Sequence, residues 1–126
     1  MAAKTGRTMH IGELADRTGL SLRTIRHYDD VGLLPATART DGGFRVYSEE
    51  DYERLMVIKQ MKPLGFTLEE MAELLRILSA EETAVHQDED RAKLMEFLEK
   101  AVHQRAKMAR NLAQADELID RLNRNS

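Results

Sequence analysis

The sequence predicts a mainly α fold: a small head of four helices and one β-hairpin, then a single long helix. Three observations carry this. Two short amphipathic helices meet at Gly19 within residues 11–30. Asp41-Gly42-Gly43 lies between two short runs of strand character. From Leu94 to Leu122 apolar residues recur at alternating steps of four and three, a heptad pattern sustained over about four repeats.

Residues 1–8 read as a loose polar tail, with Met9 as an alternative start. The first helix runs from Ile11 to Arg17, and Ile11, Leu14, Ala15 and Thr18 mark its inward side. Gly19 breaks it. The second helix is SLRTIRHYDD, Ser21 to Asp30, with Ser21 as N-cap and Gly32 just past its end. Leu22 and Ile25 face a core, with Tyr28 at the margin, while Arg23, Arg26 and His27 share another face. Two short helices joined by a tight glycine turn form a helix-turn-helix. A cationic face on the second suits a major groove. The competing reading is a small helical core with ordinary surface arginines.

Leu33 and Leu34 cap the core, and Pro35 forbids continuing the helix. Arg39-Thr40 and Phe44-Arg45-Val46-Tyr47 flank the turn as strands. Alternation sorts Phe44 and Val46 to one face, Arg45 and Tyr47 to the other. A hairpin after a helix-turn-helix is a wing, and its exposed Arg39, Arg45 and Tyr47 are placed to grip phosphates beside the groove. A surface hairpin with solvated arginines is the alternative.

Ser48 caps the third helix, and Glu49, Glu50 and Asp51 suit its positive end. Tyr52, Leu55, Ile58 and Met61 form its core stripe, and Pro63 and Gly65 end it. Thr67 and Glu70 form a capping box for the fourth helix. Leu68, Met71, Ala72, Leu75 and Leu78 face inward there. Residues 79–90 are polar and acidic and read as a linker.

The last stretch, 91–126, is built differently. Its seam is Leu94, Leu98, Ala101, Arg105, Met108, Leu112, Ala115, Ile119 and Leu122. So long a helix cannot bury such a seam inside so small a head, and a second copy of the chain is the simplest partner. Ala101 and Ala115 allow close approach, and Arg105 is a polar residue of the kind that fixes register. Alternatively the seam is rotated and Arg105 is exposed. The expected organisation is a tail over 1–8, a winged head over 9–78, a linker over 79–90 and a dimerisation helix over 91–126.

Composition narrows the function. The 126 residues carry 19 Lys and Arg against 22 Asp and Glu, a net charge of −3. Residues 1–48 hold seven basic and five acidic side chains, a net +2, which leaves −5 for the rest. The head therefore permits a local cationic surface. No apolar run is long enough to span a membrane, and the first residues have no apolar signal core. The absence of cysteine excludes disulfides and thiolate metal or redox sites within these residues and suits the cytoplasm. His10 starts the first helix, as a cap or a DNA contact. His86 and His103 with Asp88 or Asp90 lack the spacing of a metal motif, and Asp41-Gly42-Gly43 is too short for a phosphate loop. No nucleophilic or acid–base constellation is spaced for catalysis, and no cofactor is implied.

The motifs TIRHYD, GLLP, GFRVY and LGFTLEE, in this order and before a heptad helix, closely resemble the MerR family of bacterial transcription regulators. The resemblance covers nearly everything from His10 onward. It implies a winged-helix DNA-binding domain, a long antiparallel dimerisation helix, and a homodimer on a pseudo-palindromic promoter. Such proteins bind an over-long spacer and, when activated, bend and untwist it for RNA polymerase, a form of indirect readout. Arg26 matches the arginine of the family's TIRYYE motif, with Arg23, Thr24 and Tyr28 around it and Ser21 and His27 beside it. Arg45 and Tyr47 match the wing's GYRxY, and Arg39 the arginine before the turn. Lys62 is placed to reach phosphate from the loop between the third and fourth helices.

The departures are His27 and Phe44, each where the family often has Tyr, and the missing cysteines on which thiolate-sensing members depend. The chain is also expected to lack the large C-terminal domain of drug-sensing members. An effector, where one acts, is expected near residues 76–95 or across the dimer interface. Two other functions compete: an excisionase-like architectural DNA bender, which usually lacks a long pairing helix, and a winged helix that binds protein.

Overall fold

Gly19 sits at φ 76°, in the left-handed region, and its N–H closes on Ala15 O at 2.8 Å. The helix before it therefore ends there, as the sequence predicts. A computed structural model describes residues 7–80 and 88–126. Two compact units are present, residues 1–75 and 76–126.

In the first unit, β1 (Thr8–His10) leads into α1 (Ile11–Thr18), then α2 (Leu22–Asp30). The hairpin strands are β2 (Ala38–Arg39) and β3 (Arg45–Ser48), followed by α3 (Glu49–Met61), a 3-10 turn (Lys62–Leu64) and α4 (Leu68–Ala80), whose last turns enter the second unit. The sheet order is β1-β3-β2, all antiparallel. Strand β1 corrects the expectation of a loose tail through residue 8. Met9 pairs with Tyr47, and both are buried. The expected tail before Arg7 lies outside the described residues.

The core of this unit is built from Leu14, Ile25, Leu34, Leu55 and Ile58, all fully buried, with Tyr28, Leu33, Met61, Met71 and Leu75 around them. Thr18 is buried too, its hydroxyl donating to Leu14 O at 2.8 Å. Lys59 of α3 donates to Thr18 O, a cation at the negative end of α1. The predicted Ser48 cap forms and is a full capping box with Asp51, and the predicted Thr67 box forms as well. Ser48 Oγ accepts from Asp51 N at 3.1 Å while Asp51 accepts from Ser48 N at 3.0 Å. Thr67 and Glu70 do the same at 3.1 and 2.8 Å. Arg17 stacks 4.0 Å over the Tyr52 ring and bonds Glu49 at 2.7 Å, which Arg7 also reaches at 3.0 Å. Those cations hold the Glu49 carboxyl below its ordinary range, the bond from Arg17 being the main cause.

Several inward assignments change. Leu22 is exposed, so Ile25 and Tyr28 form the buried pair of α2, and Tyr28 is core rather than margin. In α4, Leu68 and Leu78 are exposed, as is Ala72, and Ile77 is fully buried instead.

In the second unit, α5 (Asp88–Arg124) is 37 residues long, or about 55 Å at about 1.5 Å per residue. Arg76 bonds Asp90 at 3.2 Å. Phe97 is buried, and the half-buried Asp90, Leu94, Ala101 and Gln104 continue its stripe. Leu98, Met108, Leu112, Ile119 and Leu122 are exposed, as are Arg105 and Ala115. Met95 and Val102, outside the predicted seam, are exposed as well. The described residues include no helix long and apolar enough to cross a membrane.

Candidate nucleic-acid interface

Helix α2 builds the centre of the site. Ser21 Oγ accepts from Thr24 N at 3.0 Å and donates to Thr24 Oγ1 at 2.9 Å, which fixes the first turn. With Ile25 and Tyr28 locked into the core, Arg23, Arg26 and His27 project outward and are exposed. Arg23 and Arg26 make no ion pair among the described residues, so their guanidinium donors remain free for an anion. Lys62, in the 3-10 turn, is likewise exposed and unpaired.

The hairpin beside it is a tight one. Gly43 N donates to Thr40 O and Thr40 N to Phe44 O, both at 2.8 Å, and Gly43 alone in the turn has positive φ, 87°. Only a residue without Cβ takes that position cheaply. The alternation was read correctly, but its sides are reversed. Tyr47 faces the core at 0% exposure, and Phe44 is 68% exposed at the tip, its ring 6.5 Å from His10. The expectation of an exposed Tyr47 is thus corrected: its position opposite Met9 in the sheet turns it inward. Its hydroxyl is fully buried with no hydrogen-bond partner among the described residues. That burial pushes the phenol's pKa up.

Arg39 and Arg45 are cross-strand partners and lie unequally. Arg45 Nε meets Asp29 Oδ2 at 2.6 Å, and one Nη is 3.5 Å from Asp30. Its side chain is 19% exposed. The bond to Asp29 holds the Arg45 guanidinium above its already high range. Arg39, 53% exposed, donates to Gly43 O at 2.9 Å and stands 3.8 Å from Asp29. Asp29 also accepts from Ala36 N at 3.3 Å.

The structure therefore exposes Arg23, Arg26 and His27 on α2 with Ser21 and Thr24 at its start, sets Arg39 and Arg45 of the hairpin against the end of that helix, and buries Tyr28 and Tyr47. Sequence reasoning missed Asp29. Its signal was a misfit: two carboxylates, Asp29 and Asp30, close a helix at the end where the backbone dipole disfavours them. His86 lies outside the described residues, and those described contain no group of three potential metal ligands.

Comparison with known proteins bears on both units. The profile for the MerR HTH family regulatory protein matches residues 9–77, and that for MerR, DNA binding, matches residues 52–124. The mercuric resistance operon regulatory protein of Bacillus cereus is 47% identical over 72 residues, 57% of this chain and 54% of that protein. The chain spans about half the length of the curated relatives it matches. The N-terminal part of MtaN, the Bacillus subtilis multidrug transporter activator, is 31% identical with a TM-score of 0.55, over 93% of this chain and 96% of that one. HiNmlR, a regulator lacking the sensor domain and solved bound to promoter DNA, shares the fold at a TM-score of 0.70 and 23% identity, over 92% and 88%.

Proposed function

The chain belongs to the MerR family of helix-turn-helix transcription regulators, and from that premise we propose that it binds a promoter pseudo-palindrome as a homodimer and distorts the spacer between the promoter elements. The observation that carries the reading is the outer face of α2. Arg23 and Arg26 are exposed and unpaired, and the helix is held from behind by Ile25 and Tyr28. Arginines on a rigid helix can read guanine edges by paired hydrogen bonds. Ser21, Thr24 and His27 flank them, and Arg39 and Lys62 add charge for the phosphates, with Arg45 in the hairpin beside Arg39. Tyr28 and Tyr47 act from the core, by supporting α2 and β3 rather than by touching the duplex.

The homodimer is supported by the apolar stripe on α5. Leu98, Met108, Leu112, Ile119 and Leu122 leave a long row of apolar side chains in water, and a second α5, running antiparallel as in the family's fold, would cover it. The exposed Met95 and Val102 extend that row and rotate its first half away from Leu94 and Ala101. Two heads on one duplex read half-sites about 34–36 Å apart or a multiple of that. Bending a site by 40–90° costs about 1–6 kcal/mol, which the second head's contacts offset. The setting is the bacterial cytoplasm, with RNA polymerase as the further partner.

The test is a footprint of the purified protein on promoter DNA. An over-long spacer between the protected hexamers is expected, with hypersensitive cleavage at its centre. Arg26→Ala should lose about 1–3 kcal/mol of binding and remain dimeric. Unchanged affinity in that variant would reject the placement of α2 in the groove.

A further inference from the structure

We propose that Asp29 is a positioning residue of the DNA-binding face: it holds Arg45 as a pivot that sets the hairpin against α2, and leaves Arg39 as the wing arginine that meets phosphate. This rests on the promoter-binding reading and divides the labour of its two wing arginines.

Four observations lead there. First, Asp29 and Asp30 stand in the last turn of α2, where carboxylates are disfavoured by the helix dipole. Their presence needs a compensating partner. Second, Arg39 and Arg45 are directly opposite each other across the hairpin. Like charges so placed destabilise a strand pair, and the Asp29 carboxylate lies within 2.6 Å of one and 3.8 Å of the other. Third, the two arginines are held differently. Arg45 spends its Nε on Asp29, has Asp30 beside one Nη, and is largely covered. Arg39 touches Asp29 only at the limit of an ion pair and is half exposed. Fourth, the second oxygen of Asp29 accepts the Ala36 N–H, so one carboxylate ties the end of α2, the loop after it and the hairpin.

Swinging Arg45 out to a phosphate would leave Asp29, its side chain 15% exposed, without its close cation and with only the 3.8 Å contact to Arg39. Stripping one partner from a covered charge pair is costly. Arg39 can leave at little expense, because its ion pair with Asp29 is long and its hydrogen bond to Gly43 O is solvent-exposed.

The experiment uses the full chain and a duplex enriched by the protein itself from a randomised pool, with a shuffled duplex as reference. Affinity is measured by fluorescence anisotropy across a range of KCl. Arg39→Ala should lower the slope of log affinity against log salt by about one and preserve the ratio of selected to shuffled affinity. Arg45→Gln and Asp29→Asn should keep the slope and lower that ratio about tenfold. The double variant should lose no more than either single one, as expected for two halves of one contact.

Residual dipolar couplings of the free protein give a second readout. The hairpin should reorient against α2 in Asp29→Asn and not in Arg39→Ala. Should Asp29→Asn fail to fold, Arg45→Gln carries the same comparison. A slope reduced by about one in Arg45→Gln, additive losses in the double variant, or unchanged couplings in Asp29→Asn would each overturn the pivot. Failure of the wild-type protein to bind any duplex would instead sink the promoter-binding reading, and the couplings would still judge the pivot.

Discussion

Replacing Tyr47 by Phe should leave the protein at least as stable as the wild type, against the usual sign for a change at a fully buried position. The ring stays, so packing against Met9 and its neighbours is kept. Only the hydroxyl goes, and it has no partner among the described residues. Taking an unpaired hydroxyl out of water costs about 1–3 kcal/mol on the scale of protein mutations. A bonded hydroxyl would instead contribute about 0.5–1.5 kcal/mol. The two cases therefore differ in sign, and a gain of about 1 kcal/mol is expected.

Urea unfolding followed by circular dichroism at neutral pH measures it. An alkaline series adds a check. Burial raises the folded-state pKa of this phenol above its ordinary value of 10.0. The folded state then holds the proton where the unfolded state has released it. Stability falls as pH rises through that range, and the Phe variant should lack that part of the fall. Promoter affinity should not change, because a hydroxyl with no exposure cannot reach a phosphate. A loss of 1 kcal/mol or more at neutral pH would show that the hydroxyl is bonded, and would refute the reasoning.

Three further outcomes are expected. Gly19→Ala forces a side chain into the left-handed region at φ 76° and should destabilise the head by about 1–2 kcal/mol in the same urea assay. The Glu49 carboxyl is held below its ordinary range by Arg17 and Arg7, so its contribution is complete above that range. It is lost as pH falls through the lowered value, since the unfolded state takes up the proton first. Thermal melts of Glu49→Gln between about pH 5 and 3 should therefore show a shallower acid decline than wild type, and parallel curves would contradict the network. Leu112→Glu with Ile119→Glu should yield monomers in sedimentation while helicity in the head persists; a dimer of unchanged affinity would remove α5 as the pairing element.

What was legible followed from chemistry confined to a few residues. Ser48 with Asp51 and Thr67 with Glu70 are boxes closed within one turn, and Gly19 needs no distant partner to stop a helix. The wing shows where such reading ends. Alternation separates Phe44 and Val46 from Arg45 and Tyr47, yet says nothing about which pair is inside. That was decided by β1, a three-residue strand too short to leave a periodic signal. Leu22 and Leu68 satisfy helical spacing and still face water: each is the first residue of its helix, ahead of the buried positions that follow. The outward placement of Arg23 and Arg26 followed from their spacing. Asp29 was visible only as a charge at the wrong end of a helix, and its purpose appears once Arg45 is brought beside it from the hairpin.

The small sheet has a consequence for handling the molecule at high concentration. Its middle strand, β3, has both edges taken, and the outer strands are three and two residues long. So short a border gives a neighbouring chain little to add a strand to. Self-association should therefore run through the exposed apolar stripe of α5, and additives that quiet exposed leucines will protect the protein better than those that disrupt strand pairing.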